Sequence, residues 1–175
     1  QTTVVDSYIY PVLDDYISSL KRELGEIPLE FMQSSGGLTD SNSLTGKDSV
    51  LSGPAGGVIG SAIVGETNGV SSIIGFDMGG TSTDVSRYNG SFSKSSEIEA
   101  AGIKFQTSSL DIETVAAGGG SLLLFDGQRL QVGPESAGAI PGPVCYGLGG
   151  KLTVTDANLI LGRINPDFFP QVFGF

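Results

Sequence analysis

The stretch from Ser72 to Tyr88 places the strongest constraint on how this chain can fold. It is an apolar run, Ser-Ile-Ile-Gly-Phe-Asp-Met, that turns at Gly-Gly and resumes as a second strand-like segment, Thr-Ser-Thr-Asp-Val-Ser-Arg-Tyr. Asn89-Gly90 follows, and Asn-Gly between strand-like segments favours a two-residue hairpin. The sequence therefore predicts strand, glycine turn, strand, tight turn and a third strand from Ser91 to Ala100.

The glycine turn has the residue types of a phosphate-binding loop. Glycine allows close approach of the backbone, so that N–H groups and neighbouring hydroxyls can contact phosphate oxygens. Asp77 and Asp84 flank the turn with hard oxygen donors suited to Mg²⁺ or its waters. The candidate phosphate contacts are Gly79, Gly80, Thr81, Ser82 and Thr83. A Walker loop would need a lysine and a following helix, and the alternative here is a glycine hairpin with a solvated polar edge.

The segment before this turn predicts a helix from Leu51 to Gly65. Ser52 or Gly53 suits its cap, and Pro54 suits its first helical position. A capped small-residue helix that runs into an Asp-x-Gly-Gly-Thr hairpin resembles the second half of the actin, sugar-kinase and heat-shock-chaperone ATPase superfamily. The resemblance implies an α/β fold, part of a ribonuclease H-like ATPase domain with a mixed sheet and flanking helices.

Composition limits the function classes. With 175 residues, 39% of them hydrophobic, the chain can bury a sizeable core. The net charge of −10 argues against nucleic acid or an anionic membrane as partner, because both need clustered Lys and Arg. The lack of histidine excludes a Ser-His-Asp triad and histidine-ligated zinc within this chain, and the single cysteine fits a reducing compartment. We expect a cytoplasmic protein, and we expect this chain to be a piece of a longer one, since it starts at Gln1 without methionine and ends at Phe175 in an apolar stretch.

The remaining segments predict a helix, several strands and two glycine-rich loops. Val4 to Leu24 has the apolar spacing of an amphipathic helix that ends at Gly25, with Pro11 expected to bend or split it. Asp156 is predicted to cap a helix from Ala157 to Arg163. The predicted strands are Ile27 to Gln33, Leu122 to Phe125, Arg129 to Val132 and Lys151 to Thr155, with strand or irregular structure from Ile103 to Val115. Ala116 to Ser121 is predicted to be a flexible glycine loop, and Gly133 to Gly150 an ordered irregular one.

Seven motifs in order resemble the hydantoinase A and 5-oxoprolinase family over nearly the whole chain. They are Met32-Gln-Ser-Ser-Gly-Gly-Leu38, Ser52-Gly-Pro-Ala-Gly-Gly57, Phe76-Asp-Met-Gly-Gly-Thr-Ser-Thr-Asp84, Ala116-Ala-Gly-Gly-Gly-Ser121, Gly133-Pro-Glu-Ser-Ala-Gly138, Pro141-Gly-Pro-Val-Cys-Tyr146 and Thr153-Val-Thr-Asp-Ala-Asn158. Ser86 to Tyr88 and the run Leu159 to Pro170 are most similar to the eukaryotic-type ATP-dependent 5-oxoprolinases.

This resemblance implies hydrolysis of the 5-oxo-L-proline lactam to L-glutamate, coupled to hydrolysis of ATP with Mg²⁺, in glutathione metabolism. Asp77 and Asp84 would hold the metal or its waters, and the glycine turn would hold the β and γ phosphates. The substrate-side and further catalytic candidates are Gln33, Gly118, Gly119, Gly120, Ser121, Cys145 and Asp156. An ordinary loop, a packed thiol and a capping carboxylate are the alternative roles of Gln33, Cys145 and Asp156.

Two motifs of the family, a first Asp-x-Gly-Gly-Thr loop and an adenosine Gly-Gly motif, are missing from this chain. We therefore expect residues 1–50 to form a connecting arm and 51–175 an incomplete second ATPase subdomain that holds one wall of the nucleotide site. The expected partners are a small-molecule substrate, the remainder of the parent chain and further copies of it. The alternatives are a hydantoinase, a ketone carboxylase subunit, a chaperone-like ATPase module, and a purely structural fragment.

Overall fold

A computed structural model describes residues 1–100 and 102–168. The helices are α1 (Thr2–Leu24), α2 (Gly46–Ser49), α3 (Ser52–Thr67) and α4 (Val154–Ile160), with short 3₁₀ helices at Val144–Tyr146 and Pro166–Phe168. The strands are β1 (Glu30–Met32), β2 (Leu38–Asp40), β3 (Ser72–Met78), β4 (Thr83–Asn89), β5 (Lys94–Ala100), β6 (Ile103–Leu110), β7 (Ile112–Val115), β8 (Ser121–Phe125) and β9 (Leu130–Ser136). These elements confirm the predicted α/β class.

The chain divides into two compact units. The first unit contains Gln1–Gly75 and Ser86–Glu113, and the second contains Phe76–Val85 and Thr114–Phe175. The predicted division at residue 50 concerns subdomains of a larger ATPase and stays a prediction. The end of the run Leu159 to Pro170 lies outside the described residues.

Helix α1 confirms the predicted amphipathic helix and its end at Gly25, which has a φ of 65°. Pro11 lies within the helix, so the expectation that it splits the helix is wrong. A proline removes one backbone donor, and here packing of the inner face outweighs that loss. On that face Ile17 is buried, and the helix packs on α2 and β6 within the first unit.

Helix α3 confirms the helix predicted in this segment, but it begins at Ser52, two residues before the predicted first helical position at Pro54, and its N-cap is Leu51 in place of Ser52 or Gly53. Its inner face places Ala55 and Val58 against Leu110 of β6 to form the core of the first unit. Met32, Ile59, Phe92 and Ile112 pack around this cluster. Small residues along α3 therefore allow β1 and β6 to approach the helix closely.

Ser34 joins four segments of the first unit by hydrogen bonds. The side chain is fully buried, and its Oγ donates to the carbonyl of Asp48 at 2.7 Å while accepting from the Leu51 N–H at 3.0 Å. The carbonyl of Ser34 accepts from the Leu110 N–H at 2.8 Å. The loop after β1 is thereby tied to α2, to the start of α3 and to β6.

The third predicted strand exists as β5, but its partner differs from the prediction. The Asn89-Gly90 turn leads only to a single bridge between Tyr88 and Phe92, whose rings lie 4.7 Å apart. Strand β5 pairs instead with β6 in an antiparallel hairpin, from Lys94↔Leu110 to Ala100↔Ile103. Because Phe92 packs on the core cluster, the chain leaves β4 after this turn. Strands β3, β4 and β7 form a three-stranded sheet in that order.

The second unit contains the predicted hairpin around Asp126-Gly127, in which β8 and β9 pair antiparallel. Strand β9 continues to Ser136, so the first residues of the Gly/Pro-rich segment are regular, contrary to prediction. The predicted strand Lys151 to Thr155 is reduced to two bridges, because α4 already begins at Val154. Among the described residues, no helix has the length and apolar content needed to cross a membrane.

We expect Ser34→Ala to destabilise the first unit by about 1–3 kcal/mol, because the N–H of the half-buried Leu51 loses its acceptor. Amide hydrogen exchange of peptides that cover Leu51 measures this as faster exchange. Ser35→Ala is the matched control, because the Ser35 hydroxyl accepts only a long bond of 3.4 Å from Gly37. Equal exchange in the two variants would contradict the role assigned to Ser34.

Candidate phosphate-loop site

The glycine turn after β3 runs alongside the glycine triplet Gly118–Gly120 of the second unit. The N–H of Gly119 donates to the carbonyl of Gly79 at 2.9 Å, and the N–H of Gly120 donates to that of Gly80 at 2.6 Å. The Thr83 hydroxyl donates to the carbonyl of Ala117 at 2.5 Å. Two bonds therefore hold the turn against the triplet, a third holds the start of β4 to the residue before it, and the expectation that the loop is flexible is wrong.

Close backbone approach explains why the triplet consists of glycines. A Cβ on Gly118 would lie 2.7 Å from the Gly79 carbonyl oxygen, and one on Gly120 would lie 2.9 Å from the Gly80 oxygen. A Cβ on Gly119 would lie 2.6 Å from Oγ1 of Thr155. Such distances require the backbone or the threonine to move, so a side chain at any of the three positions would push the two segments apart.

Gly80 differs from the triplet, because no described atom lies within 4 Å of the position that its Cβ would occupy. Its φ also lies outside the left-handed region. Neither internal packing nor backbone conformation therefore demands glycine at residue 80. The open side of the turn leaves room for a ligand to approach the backbone closely, as a phosphate group would.

Two carboxylates flank the turn. Asp77 is exposed near the end of β3, and Asp84 is half-buried in β4, where it accepts a hydrogen bond of 2.7 Å from the Thr114 hydroxyl. The described residues contain no group of three or more metal-binding side chains. Mg²⁺ with a nucleotide is usually held by one or two carboxylates together with phosphates and waters. The two carboxylates fit that donor set, and their role as magnesium ligands stays a prediction.

Asp156 anchors the Gly/Pro-rich loop to the start of α4. Its carboxylate accepts hydrogen bonds from the N–H of Val144 at 3.2 Å, of Cys145 at 2.8 Å and of Thr153 at 2.8 Å, and from the Thr153 hydroxyl at 2.9 Å. The N-cap of α4 is Thr153, and Asp156 is the third helical residue of a capping box, so the prediction that Asp156 is the N-cap is wrong. Burial tends to raise the pKa of Asp156, but hydrogen bonds from Cys145 and Thr153 outweigh it and lower that pKa.

The environment of Cys145 keeps its thiol protonated at neutral pH. Burial, a hydrogen bond to the Asp156 carboxylate and the negative charge of that carboxylate raise the pKa of Cys145 to about 11. The thiolate is the nucleophilic form of cysteine. The arrangement therefore suits a hydrogen-bond donor better than a nucleophile, and the catalytic role of Cys145 stays a prediction.

A cavity of about 470 Å³ opens beside the glycine turn in the second unit. It is lined by Gly80, Thr81, Gly120, Gly138, Ala139, Ile140, Pro143, Tyr146 and Thr155. The lining includes three of the predicted site residues, Gly80, Thr81 and Gly120. The lining residues of the Gly/Pro-rich loop were not predicted as site residues, although its ordered sequence was a signal that the loop is functional.

Two other predicted residues, Ser121 and Gln33, do not line this cavity. Ser121 is buried, and its hydroxyl oxygen accepts a hydrogen bond of 3.0 Å from the Gly118 N–H, so it stabilises the backbone of the triplet. Gln33 belongs to the first unit, where it is half-buried in the turn between β1 and β2. Its N–H donates to the Gly37 carbonyl at 2.8 Å. The role of Gln33 toward a substrate stays a prediction.

Comparison with solved structures confirms the ATPase-like α/β fold. Acetone carboxylase in its nucleotide-free structure matches with a TM-score of 0.72 and 29% identity, covering 89% of this chain and 22% of that chain. The ATP-dependent caprolactamase from Pseudomonas jessenii matches with a TM-score of 0.69 and 38% identity, covering 93% of this chain and 25% of that chain.

The hydantoinase/oxoprolinase family model matches residues 1–174. The chain belongs to this family. It is 52% identical to 5-oxoprolinase 1 of Arabidopsis thaliana over 178 residues, which cover 99% of this chain and 14% of that protein. The chain thus spans only a small part of the length of the relatives that it matches.

We expect Gly118→Ala to destabilise the second unit by about 1–3 kcal/mol, because its Cβ would collide with the backbone of Gly79 and Gly80. Gly80→Ala is the matched control, because its Cβ has open space. Hydrogen exchange at Gly119 and Gly120 measures the difference. An unchanged exchange rate in Gly118→Ala would show that the two glycine segments do not depend on close contact.

The raised pKa of Cys145 predicts slow alkylation of its thiol by iodoacetamide in the folded protein. Labelling followed by peptide mass spectrometry should give a rate that still rises between pH 8 and about 10, whereas a cysteine in urea-unfolded protein levels off above its ordinary pKa of about 8.5. Asp156→Asn should speed labelling, because the negative charge that opposes ionisation is removed. A plateau near the ordinary pKa in the folded wild type would contradict the assigned environment.

Proposed function

We propose that the protein to which this chain belongs hydrolyses the 5-oxo-L-proline lactam to L-glutamate at the expense of ATP, and that this chain holds the β and γ phosphates. The observation that carries the proposal is the turn at Gly79 and Gly80, which is braced from behind by the glycine triplet and open at Gly80. Family membership and 52% identity to a protein named 5-oxoprolinase support the substrate class.

A lactam resists water because amide resonance makes its carbonyl carbon a weak electrophile. ATP supplies a phosphoryl group to the carbonyl oxygen, with cleavage of the bond to the ADP oxygen, which removes this resonance and allows water to open the ring. Hydrolysis then ends in L-glutamate, ADP and inorganic phosphate. The work left to the protein is mostly positioning and neutralisation of charge.

The proposed roles follow from chemistry and position. The N–H groups of Gly80 and Thr81 and the hydroxyls of Thr81 and Ser82 contact phosphate oxygens. Asp77 and Asp84 hold Mg²⁺ or its waters, and the hydrogen bond from Thr114 orients one oxygen of Asp84. The buried Thr83 hydroxyl donates to the Ala117 carbonyl, so we assign this side chain to bracing the turn. We assign the backbone N–H of Thr83 to contact phosphate.

The remaining alternatives differ in their substrates. A hydantoinase, a lactamase for larger rings or a ketone carboxylase would use the same phosphate loop, and the caprolactamase and acetone carboxylase matches keep these readings open. A chaperone-like ATPase would need no small-molecule cavity. The cavity walled by residues 138–146 therefore favours an enzyme.

We also propose a cytoplasmic, homo-oligomeric protein in which the remainder of the parent chain completes the nucleotide site. The outer face of α1 supports further contacts, because Val4, Tyr8 and Val12 are 71%, 84% and 73% exposed. Apolar side chains at this spacing on one helix face are usually covered by another surface.

The first test of the function measures ADP release by the full-length protein with 5-oxoproline and with hydantoin. We expect stimulation by 5-oxoproline, and a fall of at least about 100-fold in kcat in the Asp77→Asn variant. Asp15→Asn is the control, because Asp15 is exposed on α1. Hydrolysis of ATP that neither ring changes would favour the chaperone-like module instead.

The 175-residue chain by itself should release no more ADP than the buffer, because it lacks the other phosphate loop and the adenosine motif. A coupled assay for ADP, run with purified chain, ATP, Mg²⁺ and 5-oxoproline, measures this. Steady turnover well above background would refute the view that this chain is one wall of the nucleotide site.

A further inference from the structure

We propose that the cavity beside the glycine turn binds the uncharged ring of the cyclic-amide substrate. Its apolar side, here called the ring wall, consists of Ala139, Ile140, Pro143 and Tyr146. The inference rests on the proposed function, since it places the phosphoryl acceptor of that reaction. It adds four residues to the substrate side, whereas the sequence motifs gave only Cys145 as a candidate in this loop.

The position of the cavity suits a phosphoryl acceptor. One side is formed by Gly80 and Thr81 of the glycine turn, here also called the phosphate turn, and by Gly120 of the triplet. The ring wall forms the other side. A group bound here therefore contacts the turn that holds the γ phosphate. Phosphoryl transfer needs the acceptor oxygen within about 3–3.5 Å of the reacting atom, so the ring carbonyl must be directed from the ring wall toward Thr81.

The chemistry of the lining suits a neutral ring. None of the described lining residues carries a charge, and the lining includes the hydroxyl-bearing residues Thr81 and Thr155. The Thr155 hydroxyl donates to the Gly119 carbonyl, which leaves its oxygen able to accept a further bond. An apolar surface with a few convergent hydrogen-bonding groups is the usual composition of a small-molecule site, and about 470 Å³ lies within the common range of about 300–1,000 Å³. The carboxylate of 5-oxoproline must then be bound by groups outside this cavity.

The part of the ring wall from Pro143 to Tyr146 is held in place before any ligand binds. Asp156 accepts from the N–H groups of Val144 and Cys145, which lie between Pro143 and Tyr146 in the chain. The ring of Tyr146 packs so closely on Gly142 that a Cβ there would lie 2.5 Å from its Cδ2. Because these contacts fix Pro143 and Tyr146, binding need not order this part of the ring wall, which preserves affinity for a small ligand.

Both sides of the cavity are tied to the same glycine triplet. The carbonyl of Gly119 accepts from the N–H and the hydroxyl of Thr155, at 2.8 Å and 2.9 Å. The carbonyl of Gly120 accepts from the Ala137 N–H at 2.8 Å, just before the loop that carries the ring wall. The triplet thus sets the distance between the phosphate turn and the ring wall.

The test uses two substitutions of exposed side chains in the ring wall of the full-length protein. Ala139→Leu fills the cavity, and Ile140→Ser removes apolar surface from a residue that is 84% exposed. Each should raise the KM for 5-oxoproline about 10-fold or more, with the KM for ATP within about twofold. Leu130→Ser is the matched control, because Leu130 is 82% exposed in the same unit and lies outside the lining.

Saturation-transfer NMR with 2-pyrrolidinone, an uncharged five-membered lactam, tests binding without turnover. We expect a signal with the wild type and with Leu130→Ser, and its loss with Ala139→Leu. If the wild type shows no ADP release with 5-oxoproline, the proposed function fails, and this binding assay still decides whether the cavity takes a lactam ring.

Two results would overturn the inference. A raised KM for ATP with an unchanged KM for 5-oxoproline would assign the cavity to the nucleotide. Equal lactam signals in wild type and Ala139→Leu would show that the ring does not bind there.

Discussion

The contact between two stretches of bare backbone supports the rest of the candidate site. Gly119 and Gly120 donate their N–H groups to the carbonyls of Gly79 and Gly80, while their own carbonyls accept from Thr155 and Ala137. Since its N–H groups and its carbonyls bond to different segments, the triplet joins the phosphate turn to the start of α4 and to the end of β9. Backbones can approach this closely only where no Cβ intervenes, which makes the triplet a structural requirement of the turn.

A buried negative charge holds the other side of the site. Asp156 is 4% exposed, and burial of a carboxylate is costly unless hydrogen bonds replace its hydration. Here donors from Val144, Cys145 and Thr153 do so, and they come from two segments. The charge therefore fastens the Gly/Pro-rich loop to α4, and it also keeps the neighbouring thiol protonated. Asp156, which the sequence analysis gave as a catalytic candidate, thus has a clear positioning role.

Local patterns predicted much of this architecture. The amphipathic spacing of α1, the apolar runs of β3 and β8, and the turn at Asp126-Gly127 each depend on residues close in sequence, and all were found. Predictions failed where distant segments compete. Strand β5 pairs with β6 because Phe92 is drawn to the core, and α3 begins at Ser52 where Ser34 binds the Leu51 N–H. Neither partner can be found from local spacing.

The sequence by itself determined the family, the α/β class and the chemistry of the glycine turn, because these depend on residue types in a fixed order. Only the tertiary structure decided at which positions packing requires glycine and at which positions there is open space for a side chain. The triplet is pressed against backbone nearly forty residues earlier in the chain, whereas Gly80 faces a cavity. The ring wall likewise arises from a loop folded back by Asp156. Such contacts depend on where the chain returns in space, and no local pattern encodes that distance.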